Sequence, residues 1–403
     1  MLENTQPGFR RPIAYALIFG IEIVAFALFM LLMLDPGGTM LVIDLILVAG
    51  VVLFFRRYHD YREKLNAAFN AHRKAAIGGM IVLLLLVPFF LVSNAYWLLN
   101  VITAGLFIIA CLGLNLQLGS TGMMNLAGAA FYAFGAYSAG LLALNLKLPP
   151  LLTVPLGALI TGILSIFLFI PVLRTKGHYL ALVTIAFQFM VVIGVENMEW
   201  TGGPQGLKNI PLFSIGGYSF NSSINLGFIN LPSYANFYYL MIAIVIVLVI
   251  IVNRLYHSWV GNTLSTIRDD ETAAKTSGVI INRWKLLMFV IGNSFIGLAG
   301  AFYAHMIGFI SPPVFGFDKS LLMVSIVILG GMDNLLGIVV GAILLIIMPE
   351  KLRFIQDYRF LIYGLVLIFM LLFRPQGLLP FKLRDYLGFV RGRKPAKAAE
   401  EKR

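Results

Sequence analysis

The sequence predicts an all-α polytopic membrane protein of about 10–12 transmembrane or broken helices, because apolar runs of about 15–25 residues recur along it, each close to the length that crosses a hydrocarbon core roughly 30 Å thick. Composition agrees, with 60% hydrophobic and only 12% charged residues in a chain of 403. The third observation is where the charge sits. The net charge of +12 gathers between the apolar runs, which is the signature of membrane orientation. Membrane lipid is therefore the expected surrounding, and no nucleic-acid partner is expected.

The candidate spans fall at residues 13–34, 40–55, 76–93, 97–118, 122–144, 151–173, 178–196, 235–252, 286–308, 319–332, 334–349 and 359–373. Arg10 and Arg11 precede the first, the 56–74 segment carries six Lys or Arg, and 173–179, 253–285 and the tail are also basic. These segments, with both termini, are expected on the cytoplasmic side of an inner (cytoplasmic) membrane. Residues 197–234 contain one lysine, Lys208, and are rich in Gly, Pro, Asn and Ser, so they are expected to form a turn-rich cap on the outer face. No small-residue cleavage site follows the first run, so it does not read as a removable signal. The single Cys111 lies in an apolar run and reads as a small core hydrophobe.

Three parts are expected: an N-terminal two-helix membrane extension with a basic cytoplasmic linker at 1–75, a core at 76–380, and a basic cytoplasmic tail at 381–403. The extension carries Glu22 and Asp44. Acids are costly in lipid, so each is expected to face another helix or lie near the interface.

The stretch "GLNLQLGSTGMMNLAGAAFYAFGAYSAGLL", Gly113 to Leu142, departs from the surrounding apolar pattern. Asn115, Gln117, Ser120, Thr121 and Asn125 surround Gly119 and Gly122, and no charged residue occurs from Trp97 to Asn145. An unwound backbone at membrane depth persists only where it lines water or is buried in protein, so these residues read as a broken helix at a substrate path. The small residues of "AGAAFYAFGAYSAG" read equally well as a tight helix-packing face. Both readings stay open at this stage.

A second polar region is "GNTLSTIRDDETAAKTSGVIINRWKLL". Thr266 or Asp269 is expected to cap a short helix, the acids of "DDETAA" favour its first turn, and Gly278 ends it. It is either a solvated connector or a docking element for a cytoplasmic motor, with Arg268, Asp269, Asp270, Glu271, Ala273, Ala274 and Gly278 as the candidate coupling residues. Motifs for zinc, a nucleophile elbow or a phosphate-binding loop do not occur. No catalytic residue, metal or cofactor is expected, and the chain is not expected to be an enzyme.

These blocks, with "GGPQGL", "IRDDETAAKTSGVIINRWKLLMFVIGNSFIGLAGAFYAHMIGFISP", "VILGGMDNLLGIVVGA" and "RPQGL", occur in an order that resembles LivM-type permeases of bacterial branched-chain amino acid ABC importers. The resemblance spans about residues 80–380. It implies a permease that pairs with a second, LivH-type permease, two cytoplasmic ABC ATPase subunits and a periplasmic substrate-binding protein. It also implies that residues 262–283 contact an ATPase. Asn125-Leu126-Ala127-Gly128 stand where the family commonly has Ser-Leu-Gly-His or similar, which keeps sister systems for urea, amides or aromatic acids as alternatives. An ion-coupled transporter is the contrasting class. It would need an acid or a comparable ion site in the core, and the candidates are few: Asp333, His305 and Asp318. A lone helical histidine is ordinarily satisfied by a neighbour, and Gly330-Gly331 beside Asp333 reads as a turn between two short helices.

Overall fold

The computed structural model describes residues 11–34, 72–92, 94–173, 178–215, 218–225, 230–351 and 377–379, with scattered positions between 358 and 372. The predicted run at 40–55, Asp44, most of the 56–74 segment and the tail at 381–403 lie outside the described residues.

The described chain is helical and polytopic. Helices α1 (Arg11–Leu34), α2 (Arg73–Phe90), α3 (Ala95–Thr121), α4 (Gly128–Asn145), α5 (Pro150–Leu173) and α6 (His178–Asn197) are followed by a cap, then by α7 (Tyr234–Tyr256). The short α8 (Trp259–Asp269) and α9 (Glu271–Thr276) lead into α10 (Ile281–Ile307), α11 (Phe317–Gly330) and α12 (Leu335–Lys351). Among the described residues, six segments are long and apolar enough to cross a membrane: 95–121, 150–171, 179–197, 234–256, 281–307 and 312–330. At 27 residues each, α3 and α10 are about 40 Å long.

The core forms around α10, which packs along α3, α4 and α5. Small residues allow the close approach: a Cβ on Gly135 would lie 1.9 Å from the Gly297 carbonyl oxygen, and one on Gly300 would lie 1.9 Å from that of Tyr132. Aromatic rings fill the space beside this seam. Phe289 of α10 meets Phe131 edge-on at 5.9 Å and Phe169 at 5.5 Å.

One end of the bundle is covered by the described residues between 198 and 233, which include two 3-10 turns (Glu199–Thr201 and Gly203–Gln205) and two small antiparallel strand pairs. In these β1 (Ser214–Ile215) pairs with β2 (Tyr218–Ser219), and β3 (Ile224–Asn225) with β4 (Asn230–Leu231). The cap is fastened by a backbone bridge between Leu207 and Ile310 and by His305 of α10. One His305 ring nitrogen lies 2.7 Å from the Pro211 carbonyl oxygen, and the other lies 2.6 Å from Thr153 Oγ1. The lone histidine is thus satisfied by its neighbours.

The first helices dock on this bundle. Glu22 of α1 lies against Gly79 of α2, where an added Cβ would be 2.2 Å from Glu22 Oε2. The Tyr238 hydroxyl of α7 donates to the Leu84 carbonyl of α2 at 2.7 Å.

Two expected boundaries are corrected. The run at 122–144 is not one helix: residues 122–127 are non-helical, and α4 begins at Gly128. The cap of the short loop helix is neither Thr266 nor Asp269. Both sit inside α8, whose helical turns continue through Asp269, and Asp270 is the first extended residue, with φ −156°. Its carboxylate accepts from the Thr272 and Ala273 backbone N–H groups at 2.7 and 3.1 Å, which satisfies orphan donors of α9. Gly278, at φ +82°, lies just past the end of α9, in the left-handed conformation that glycine enters freely.

Candidate functional site

Opposite the cap, α3 ends in a buried polar cluster. Its last turn closes because Gly122 enters the left-handed region at φ +69°. The Gln117 carbonyl oxygen there accepts from the Thr121 hydroxyl at 2.7 Å and from the Met123 N–H at 2.9 Å. The chain then runs without helical turns to Ala127 before α4 begins.

That non-helical segment needs donors and acceptors, because lipid supplies none. Side chains provide them. Asn125 donates to Gln117 Oε1 at 2.7 Å and to Asn293 Oδ1 at 3.2 Å, while Gln117 donates to Asn293 Oδ1 at 2.9 Å. Asn125 Oδ1 accepts from the Ala127 N–H at 2.9 Å. Thr184 of α6 accepts from the Leu126 N–H at 3.0 Å, Ser320 of α11 from the Ala129 N–H at 2.8 Å, and Gln188 of α6 from the Ala130 N–H at 2.6 Å. Gly122 at the start of the break is exposed, whereas Met123, Asn125, Leu126 and Ala127 are buried, as are Asn115, Gln117, Ser120 and Thr121.

The same helix end meets the α11–α12 turn and the loop helix α8. Asn115 donates to the Tyr256 hydroxyl at 2.6 Å and accepts from the Asp333 N–H at 2.9 Å. Asp333 adopts φ +61° in the Gly330–Asn334 turn, and its carboxylate accepts from the Ser120 hydroxyl at 3.0 Å. Arg268 Nη1 forms an ion pair with Asp333 Oδ2 and also donates to the Gly119 carbonyl oxygen at 3.1 Å. Residue 119 must be glycine for this approach, since a Cβ would lie 2.8 Å from Asp333 Oδ1 and 2.9 Å from its backbone nitrogen. The "RPQGL" motif returns to the same turn: the Leu378 and Leu379 N–H groups donate to the Leu329 and Gly330 carbonyls at 2.7 and 3.2 Å.

The structure therefore gathers Asn115, Gln117, Gly119, Ser120, Thr121, Gly122 and Asn125 into one site and adds Arg268 from the second region. The rest of the second region stays apart from it. Asp269 and Ala273 are exposed and Ala274 is buried under the loop, while Asp270 caps α9 and Glu271 bridges to Lys285 at 2.5 Å. Sequence reasoning missed Asn293, Thr184, Gln188, Ser320 and Tyr256, and weighed Asp333 as an ion-site candidate or a turn residue without pairing it with Arg268. The available signal was a lone polar residue inside an apolar run, such as Gln188 in "IAFQFMV" or Asn293 in "VIGNSF", since such residues in a span face the bundle interior.

Six segments long and apolar enough to cross a membrane, with neutral amides buried at a broken backbone and a part-buried Arg–Asp pair beside them, fit a multi-pass membrane protein. The family described as the permease component of branched-chain amino acid transport systems matches residues 96–371, and the chain belongs to that family. It is 32% identical over 388 residues to the high-affinity branched-chain amino acid transport permease LivM of Salmonella typhimurium, covering 87% of this chain and 91% of that one. It is 34% identical over 290 residues to LivM of Escherichia coli, covering 68% of each. A probable LivM of Methanocaldococcus jannaschii is 22% identical over 329 residues, covering 69% of this chain and 91% of that one. No solved structure matches the chain.

Proposed function

We propose that the chain is the transmembrane permease subunit of an ATP-driven ABC importer, translocating branched-chain (hydrophobic) amino acids across the bacterial inner membrane. A second LivH-type permease, two cytoplasmic ABC ATPase subunits and a periplasmic binding protein complete the assembly. Family membership over residues 96–371 is the observation that carries this reading. In it, residues 1–75 form a membrane extension, 76–380 the permease core and 381–403 a cytoplasmic tail. The cap at 198–233 faces outward and α8 and α9 face the cytoplasm, a reading that the basic segments beside α8 and α9 support.

The break at the end of α3, whose polar side chains are buried, is the closed form of a gate. Neutral amides suit a zwitterion, because a fixed countercharge in the passage would hold the substrate. The one acid of the core drawn into this cluster, Asp333, is neutralised by Arg268, which argues against an ion-coupled carrier. α8 and α9 form the ATPase contact: α9 is short, capped at Asp270 and exposed along most of its surface.

The test is reconstitution of the chain with a LivH-type permease, two ABC ATPase subunits and a periplasmic binding protein from the same organism, followed by uptake of radiolabelled leucine and urea into vesicles. ATP-dependent leucine uptake that requires every subunit is the expected result. Uptake that proceeds without ATP and follows a proton or sodium gradient would overturn the reading, and ATP-driven urea uptake without leucine uptake would reassign the substrate.

A further inference from the structure

We propose that the Arg268–Asp333 pair is the link through which movement of α8 and α9 reaches the broken end of α3. The proposal rests on the reading of α8 and α9 as the ATPase contact and adds the residues that transmit its motion. Arg268 Nη1 touches two elements at once, the Asp333 carboxylate and the Gly119 carbonyl. Asp333 in turn is tied to α3 through Ser120 and Asn115. A displacement of α8 therefore acts on residues 115–120 without any intermediary.

Burial decides which partner moves. The Arg268 side chain is 30% exposed and that of Asp333 is 3% exposed. A guanidinium leaving the pair enters water, whereas the carboxylate is left buried with the Ser120 hydroxyl as its remaining side-chain donor, and an uncompensated buried charge is strongly unfavourable. The turn that holds Asp333 is also conformationally constrained, with φ +61° at Asp333 and φ +108° at Gly331. It is clamped from behind by the Leu378 and Leu379 N–H groups. Withdrawal of Arg268 thus unbalances the Asn115–Ser120 turn of α3 and frees the Gly119 carbonyl beside the left-handed Gly122. A second loop tie, Lys285 to Glu271, provides an internal control, because it is solvent-exposed on the Glu271 side and joins only α9 to α10.

The experiment uses the full chain in nanodiscs with cysteine introduced as Met123→Cys. Met123 is buried, and so is the single native thiol Cys111, so labelling by a water-soluble maleimide reports opening of the break. Arg268→Gln and Asp333→Asn should each raise the labelling rate at least about fivefold, and the two together should raise it no further than either alone. Arg268→Lys should restore slow labelling, and Lys285→Gln should leave it unchanged. In the assembled complex the Arg268→Gln and Asp333→Asn variants should bind the ATPases normally yet move at least about fivefold less amino acid per ATP hydrolysed. Native labelling in both single variants, or multiplied effects in the double variant, would overturn the link. Fast labelling in the variants alongside a wild-type complex that binds no ATPase would uphold the link and sink the ATPase reading instead.

Discussion

Two neighbouring lengths of one stretch, 115–127 and 128–142, meet α10 by opposite means. The second does so through bare backbone: the Tyr132 and Gly297 carbonyls face Gly300 and Gly135, with no room for a methyl group at either glycine. The first does so through side-chain amides, with Gln117 and Asn125 converging on Asn293. One contact is limited by size and the other by polarity. The competing sequence readings of this stretch, a packing face and a broken helix, therefore correspond to different halves of it.

The largest effect should come from the size-limited half. Gly135→Ala places its methyl group 1.9 Å from a carbonyl oxygen on a helix that is itself packed on three sides, so the neighbour cannot yield as a flexible side chain would. Overpacking of this kind costs about 3 kcal/mol. Thermal unfolding of the purified chain in detergent should shift down strongly, and Gly300→Ala should behave alike. A native midpoint in both variants would show that the α4–α10 seam can open, and would dissolve the distinction drawn between the two halves.

In the polarity-limited half, Asn125→Leu keeps much of the volume but removes the donor to Gln117 and Asn293 and the acceptor for Ala127. Buried groups left without partners cost about 1.5 kcal/mol, toward the upper range found for hydrogen bonds in membranes. The variant should unfold at a modestly lower temperature and label faster at Met123→Cys, while Asn125→Gln should lose less. Equal stability of the Leu and native chains would mean that water or a second conformation already serves these groups.

How legible all this was follows from the range of the interactions. Apolar runs show spans locally, so α3, α5, α7 and α10 could be read from hydropathy, and caps and glycines showed that a short helix precedes α10. The motifs were strong enough to imply the family. The start of the break was visible at Gly119 and Gly122, but its end was not, because Met123–Ala127 has apolar residues suited to a helix. Its non-helical path depends on Thr184 and Asn293, which lie 58 and 168 residues away from their partners Leu126 and Asn125. The Arg268–Asp333 pair, 65 residues apart, was likewise hidden: either charge alone looks like an ordinary loop residue. Asp270 displaced Asp269 as the cap because local chemistry allowed both, and the length of α8 decided between them.

The smallest effect should come at Gly122, which belongs to neither kind of contact. An added Cβ there meets only the Arg268 Cγ at 3.9 Å, so the position has room for a side chain and is constrained only by its φ of +69°. A left-handed L-residue costs about 1 kcal/mol, and asparagine less than alanine. Gly122→Ala should therefore lower the unfolding midpoint slightly and Gly122→Asn still less, the reverse of the order expected from side-chain volume. Gly122→Ala should also relax toward a helical end for α3 and so label faster at Met123→Cys than Gly122→Asn does. Should Asn prove more harmful than Ala, space rather than backbone conformation governs the turn, and Gly122 belongs with Gly135 on the size-limited side.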